Sequence, residues 1–182
     1  MLGKRNAQSA KFIPKGYSRL IADGFFNGLK TNIYIFQNHY LCNMTIKEKQ
    51  KELIEEFEFL SDWEQKYEYI IDLGKELKGM PDDKKTEENL IKGCQSKVWL
   101  DAEFKDGKLF FNADSDGILP KGIVALLVRI YSGHSTQEIL DSDFDFISEI
   151  GLQEFLSPSR ANGLMAMTKQ IKFYAVAYQL KS

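Results

Sequence analysis

Lys92-Gly93-Cys94-Gln95-Ser96-Lys97-Val98-Trp99-Leu100-Asp101-Ala102-Glu103-Phe104-Lys105-Asp106-Gly107-Lys108-Leu109-Phe110-Phe111-Asn112-Ala113 joins a candidate reactive thiol to a β-hairpin in one run. Val98, Leu100, Ala102 and Phe104 fall on one side of an extended chain; Trp99, Asp101 and Glu103 fall on the other. Leu109, Phe111 and Ala113 continue the alternation on a return strand. Asp106-Gly107 lies between them, and Asp-Gly suits a two-residue turn because both of its residues need positive φ. Asp114-Ser115-Asp116-Gly117 then closes the hairpin with turn chemistry. Cys94 therefore sits at the tip of a loop that enters a strand, where rigid elements hold reactive groups in place. Lysines stand two residues before it and three after. A thiol near positive charge ionises more readily, and the thiolate is the nucleophile. A small buried hydrophobe is the alternative for a free cysteine.

Helical periodicity surrounds the hairpin. Thr45-Ile46-Lys47-Glu48 is a capping box, and Leu53, Ile54, Phe57 and Leu60 place a helix over about Ile46–Leu60. Ser61 or Asp62 caps a second, carrying Trp63, Tyr67, Ile70, Ile71 and Leu77 and ended by Gly79 and Pro81. The charged run Asp82–Glu88 reads as a solvated face. A third helix is expected over Gly122–Ser132, a short one near Gln137–Leu140 behind Ser135 or Thr136, and another near Phe146–Ile150. Ser157-Pro158 opens the last helix, where proline's missing N–H costs nothing, and Leu164, Met167, Ile171, Tyr174 and Tyr178 form its buried stripe. This order implies an α+β domain with helices on one face of a small antiparallel sheet.

The 182 residues suit one core, and no apolar run reaches the ~18 residues of a membrane helix. Two cysteines, Cys42 and Cys94, argue for a reducing compartment over a disulfide scaffold. With His39 and His134 they fit no zinc spacing. Residues 1–43 hold six basic residues against Asp23, a charge of +5, so residues 44–182 carry −7 within a chain of net −2. That balance disfavours nucleic acid as a partner of the body. The helix start one residue after Met44 suggests Met44 as the natural beginning. Residues 1–43 are then a non-native upstream extension, expected to be poorly ordered; a basic, acid-poor transit-like segment or an extra element are the alternatives. Residues 44–182 form the folded domain.

Four blocks resemble one family. Ile91–Trp99 is similar to the Gly-Cys-Gln-Ser-x-Val-Trp signature of the SufE proteins, sulfur acceptors of iron–sulfur cluster assembly. Trp63–Gly74, Asp114-Ser115-Asp116 with Lys121-Gly122, and Leu156-Ser157-Pro158-Ser159-Arg160-Ala161-Asn162-Gly163-Leu164 resemble its other blocks in the same order. The resemblance implies a single SufE/IscU-like domain whose Cys94 takes persulfide sulfur from a SufS-type cysteine desulfurase by transpersulfuration. It further implies stimulation of that desulfurase and delivery of sulfur to a SufBCD-type scaffold complex. Pyridoxal phosphate belongs to the desulfurase; the carrier needs no cofactor or metal and turns over nothing alone. The expected location is cytoplasmic, or an organelle stroma or matrix if residues 1–43 are a transit peptide. A homodimer stays open.

The resemblance also puts Arg160 near the loop, to stabilise a thiolate or persulfide anion beside a helix N-terminus. The alternative for Arg160 is a surface ion pair with Asp116. Gly93 is the hinge, Gln95 and Ser96 bond the loop or a docked partner, and Asp116 braces the resting loop or is an ordinary turn residue. Trp99 reads as packing and His134 as a surface turn residue. The competing function is an independent Cys-dependent thiol enzyme, a peroxidase or hydrolase, which would need a base within reach of Cys94. A cluster-building scaffold would need about three thiolates.

Overall fold

A computed structural model describes residues 44–181. Residues 1–43, with Cys42, His39 and the readings given to that segment, lie outside the described residues.

The chain opens with α1 (Ile46–Glu58), whose capping box closes as expected: the Glu48 amide donates to Thr45 Oγ1 at 3.2 Å and the Thr45 amide to Glu48 at 2.8 Å. Asp62 caps α2 (Trp63–Glu76) by accepting from the Gln65 amide. After a short 3-10 turn (Asp82–Lys84) come β1 (Val98–Lys105) and β2 (Lys108–Ser115). The helices α3 (Ile118–Tyr131), α4 (Thr136–Asp141), α5 (Phe146–Glu149), α6 (Leu152–Phe155) and α7 (Pro158–Gln179) complete the fold.

β1 and β2 pair antiparallel from Val98↔Ser115 to Lys105↔Lys108. Asp106 (φ 51°) and Gly107 (φ 77°) make the tight turn that two left-handed residues permit. Val98, Leu100, Ala102, Leu109, Phe111 and Ala113 are all buried. The architecture is the expected α+β, a two-stranded antiparallel sheet against helices.

Two strands alone are marginal in water, and this pair is completed by other parts of the chain. Along the outer edge of β1, the Ile91 amide bonds Val98 O (2.8 Å) and the Leu100 amide bonds Asn89 O (2.9 Å). The next two carbonyls take phenols from α7: Tyr174 donates to Leu100 O and Tyr178 to Ala102 O, each at 2.8 Å. Four residues of helix rise about 6 Å and two residues of strand about 6.8 Å, so tyrosines spaced i, i+4 meet alternate carbonyls. Along the outer edge of β2, the Leu109 amide bonds His134 O (2.8 Å) and the Phe111 amide bonds Ser132 Oγ (3.0 Å). This pairing draws His134 into the core, 4% exposed, and corrects its reading as a surface residue.

Two other expectations change. β2 runs on to Ser115, because the Asp114 carboxylate is neutralised in place by Lys121 (2.8 Å) and Lys85 (3.1 Å) and does not need a turn. The chain bends only at Asp116-Gly117, and α3 starts at Ile118, with Pro120 in a first turn whose amides have no helical acceptor. The run Asp82–Glu88 is not purely solvated, since Lys85 is that partner of Asp114.

Glycines set the closest helix approach. A Cβ on Gly122 of α3 would lie 2.1 Å from Ile70 O, and one on Gly74 of α2 would lie 2.8 Å from the Gly122 amide nitrogen. Nearby, Arg129 of α3 forks onto Glu56 of α1 at 2.7 Å twice and donates to Tyr69 of α2 at 2.8 Å. This buried cluster ties three helices together. It also places Glu56 inside, on the side of α1 where charged residues would be expected to face water.

Candidate functional site

Cys94 lies where the loop before β1 passes between the N-termini of α3 and α7. Gly93 enters at φ +90° with no atom within 4 Å of where a Cβ would stand, so the requirement is for backbone conformation and not for space. Cys94 then turns its half-buried thiol onto α7, where Sγ is 3.7 Å from Gly163 O. A Cβ on Gly163 would come within 3.2 Å of that sulfur. The helix backbone is bare at this point, and the thiol rests directly on it.

Gln95 accepts a hydrogen bond from Ser159 Oγ of α7 at 3.2 Å. Ser96 packs against Gly117, where a Cβ would meet Ser96 Oγ at 2.6 Å. Asp116 accepts the Lys97 amide at 2.9 Å, and Lys97 O is bonded by Ser115 Oγ (2.8 Å) and the Asp116 amide (3.2 Å). Asp116 therefore braces the exit of the loop and makes no ion pair with Arg160 among the described residues.

A cleft of about 370 Å³ opens beside the thiol. Cys94, Gln95 and Ser96 form one wall, Ser159, Arg160 and Gly163 the other, and Pro120, Ile123 and Met167 the floor. Arg160 is exposed and is the one charged residue among these. It stands in the first turn of α7, where the free amides of a 22-residue helix add a partial positive charge.

Burial pushes the Cys94 thiol up from its ordinary pKa. The flanking lysines do not offset this: Lys92 is exposed and paired with Glu87 at 3.0 Å, and Lys97 is exposed. Burial thus favours the neutral thiol, against the readier ionisation that neighbouring lysines suggest. No histidine or carboxylate lines the cleft among the described residues. His134 is buried elsewhere beside Glu138, with Nδ1 3.7 Å from its carboxylate and its pKa lowered by burial to about 4. Nor do the described residues hold any cluster of three potential metal ligands.

The cleft thus gathers Cys94, Gln95, Ser96 and Arg160, with Gly93 and Asp116 at the two ends of the loop. Sequence reasoning gave no role to Ser159 or Gly163, although both stand in the Leu156–Leu164 block. Their contacts cross 64 and 69 residues, and no local pattern reports such a distance.

The family profile described as "SufE: Fe-S metabolism associated domain" matches residues 51–175. The chain belongs to the SufE family. It is 38% identical over 146 residues to an uncharacterized SufE-like protein of Synechocystis, covering 80% of this chain and 92% of that one. It is 44% identical over 128 residues to a SufE-like protein of Rhizobium meliloti, covering 66% and 90%. A relative from Arabidopsis thaliana, named SufE-like protein 1, chloroplastic/mitochondrial, is 40% identical over 134 residues, a segment that is 36% of its length. A hypothetical protein from Thermus thermophilus, solved in solution, shares the fold with a TM-score of 0.61 at 24% identity, covering 74% of this chain and 97% of that one. SufE membership carries a role in sulfur transfer for iron–sulfur metabolism. Among the described residues no helix is long and apolar enough to cross a membrane.

Proposed function

We propose that this SufE protein accepts persulfide sulfur from a SufS-type cysteine desulfurase onto Cys94, stimulates the desulfurase, and passes the sulfur to a SufBCD-type scaffold. The supporting observation is the Cys94 thiol on a loop entered through Gly93 at positive φ, resting in a cleft whose one charged lining residue among the described residues is Arg160. The Cys94 thiolate attacks the outer sulfur of the desulfurase persulfide. The donor's S–S bond breaks, its cysteine leaves as a thiolate, and a new S–S bond forms at Cys94. Electrons balance without an outside oxidant, as in thiol–disulfide exchange. Delivery repeats the step, with Cys94 leaving.

Because the resting thiol is held protonated by burial, docking must bring the loop out, where Cys94 ionises and the guanidinium of Arg160 can meet the anion. The protein needs no cofactor of its own, and pyridoxal phosphate stays with the desulfurase. It acts in the cytoplasm, or in an organelle if residues 1–43 are a transit peptide, and deleting residues 1–43 is expected to leave transfer unchanged. The test is non-reducing intact mass spectrometry after incubation with an active desulfurase and cysteine. A gain of about one sulfur mass, removed by reductant and absent in Cys94→Ser, supports the reading. No gain overturns it.

A further inference from the structure

Cys94 and Gln95 are each held by one group of α7, the carbonyl of Gly163 and the hydroxyl of Ser159. The first contact depends on the state of the sulfur. A carbonyl oxygen offers only lone pairs, so it accepts from a thiol and has nothing to give an anion. A thiolate or persulfide anion in the same half-buried seat would face the negative end of that dipole with its hydration removed. A persulfide loses its proton more readily than a thiol.

Other charged groups of the loop and its surroundings are Lys97 at its end, Asp116 at the head of α3, the Glu87–Lys92 pair at its stem, and Arg160 on α7. Asp116 is bonded to the Lys97 amide and Glu87 to Lys92, and neither carboxylate lines the cleft. Arg160, exposed and lining the cleft, is the cation nearest at hand for an anion that leaves the Gly163 carbonyl.

We propose that Gly163 and Ser159 are positioning groups that hold the cysteine loop inward while Cys94 is a neutral thiol and release it once its sulfur is negatively charged. Loading thereby turns the loop outward for delivery. Release makes and breaks no covalent bond beyond loss of the sulfur's proton to solvent. The inference rests on the sulfur-carrier reading and adds that the cargo itself sets the loop's position.

The test compares Cys94→Ser, whose hydroxyl can still donate to Gly163 O, with Cys94→Asp, a fixed anion, by the rate of tryptic cleavage after Lys92 and Lys97. The aspartate variant is expected to be nicked on the order of tenfold faster, as a loop moved between two populations requires. Ser159→Ala should accelerate cleavage severalfold in the Cys94→Ser background and leave Cys94→Asp unchanged, and Ser159→Thr should restore the slow rate. Equal cleavage of the two Cys94 variants, or equal acceleration of both by Ser159→Ala, overturns the proposal. If Cys94→Asp does not fold, wild-type protein loaded with one sulfur from inorganic polysulfide, verified by mass, replaces it under the same criterion. No desulfurase enters this assay. Its failure would leave the carrier reading standing, whereas failure of sulfur loading would remove the carrier reading itself.

Discussion

On its strand side the cysteine loop runs into backbone bonding: exposed Asp116 takes the Lys97 amide, and Lys97 O is bonded by Ser115 Oγ and the Asp116 amide, while buried Asp114, one residue before Ser115, is clamped by Lys85 and Lys121. On its helix side the same loop meets one exposed hydroxyl and one carbonyl 3.7 Å from a thiol. The first side holds the loop by three hydrogen bonds to the Lys97 backbone, while the second is two weak contacts worth about 1 kcal/mol each. The difference gives the loop a direction. In the proposed release the loop pivots at its β1 end, between Gly93 and Lys97, and leaves α7 first.

Substitutions can break or sharpen this contrast. Cys94→Ser should abolish sulfur acceptance entirely while leaving the melting temperature within about a degree; a serine variant that still gained sulfur mass would end the role of Cys94. The frame should be acid-sensitive. His134 has a folded pKa of about 4 against an ordinary 6.5, so the unfolded chain binds more protons between these values. Its contribution, up to about 3 kcal/mol, is present above pH 6.5 and lost as pH falls toward 4. Urea midpoints measured across that window should decline in the wild type and flatten in His134→Asn. Asp114, held down at about 2 by Lys121 and Lys85 despite its burial, contributes stability that is lost only below about pH 4.

Asp114→Asn should cost about 2 kcal/mol in urea unfolding at pH 7, because Lys85 and Lys121 lose their shared carboxylate. Arg160→Ala should slow transfer from the desulfurase about tenfold with little change in melting temperature. Equal transfer rates would remove Arg160 from the chemistry. Smallest of all, Ser159→Ala should raise the rate of iodoacetamide labelling at Cys94 about two- to fivefold, the loss of one exposed hydrogen bond. A larger loss of stability than of protection would place Ser159 in the frame instead.

The contrast also separates what the chain announces locally from what it does not. The capping box at Thr45 and Glu48, the Asp106-Gly107 turn, the strand alternation and Pro158 at the head of α7 all depend on residues within a turn of one another. Each of them forms in the structure as its neighbours dictate. The position of Cys94 on a loop before a strand is equally local, and the SufE resemblance of Ile91–Trp99 rests on it. The burial of His134 follows from a backbone pairing with Leu109, the place of Asp114 from a lysine in a charged run, and the burial of Glu56 from an arginine 73 residues away. Each is fixed by a distant partner, so its own neighbours look like ordinary surface. The thiol departs from its sequence reading for the same reason: adjacent lysines suggest ionisation, but burial against a distant helix favours the neutral form.

The hydroxyls of Tyr174 and Tyr178 on the edge of β1 reach beyond local packing. An open strand edge is a template on which another chain can lay itself down, and short two-stranded ribbons are exposed to that on both sides. Here the central carbonyls of that edge are already occupied by side chains of the protein's own last helix. Strand addition at these two carbonyls is blocked by the protein's own last helix. Tyr174→Phe together with Tyr178→Phe would reopen the edge, and the expected consequence is self-association through the hairpin, with sulfur chemistry at Cys94 untouched.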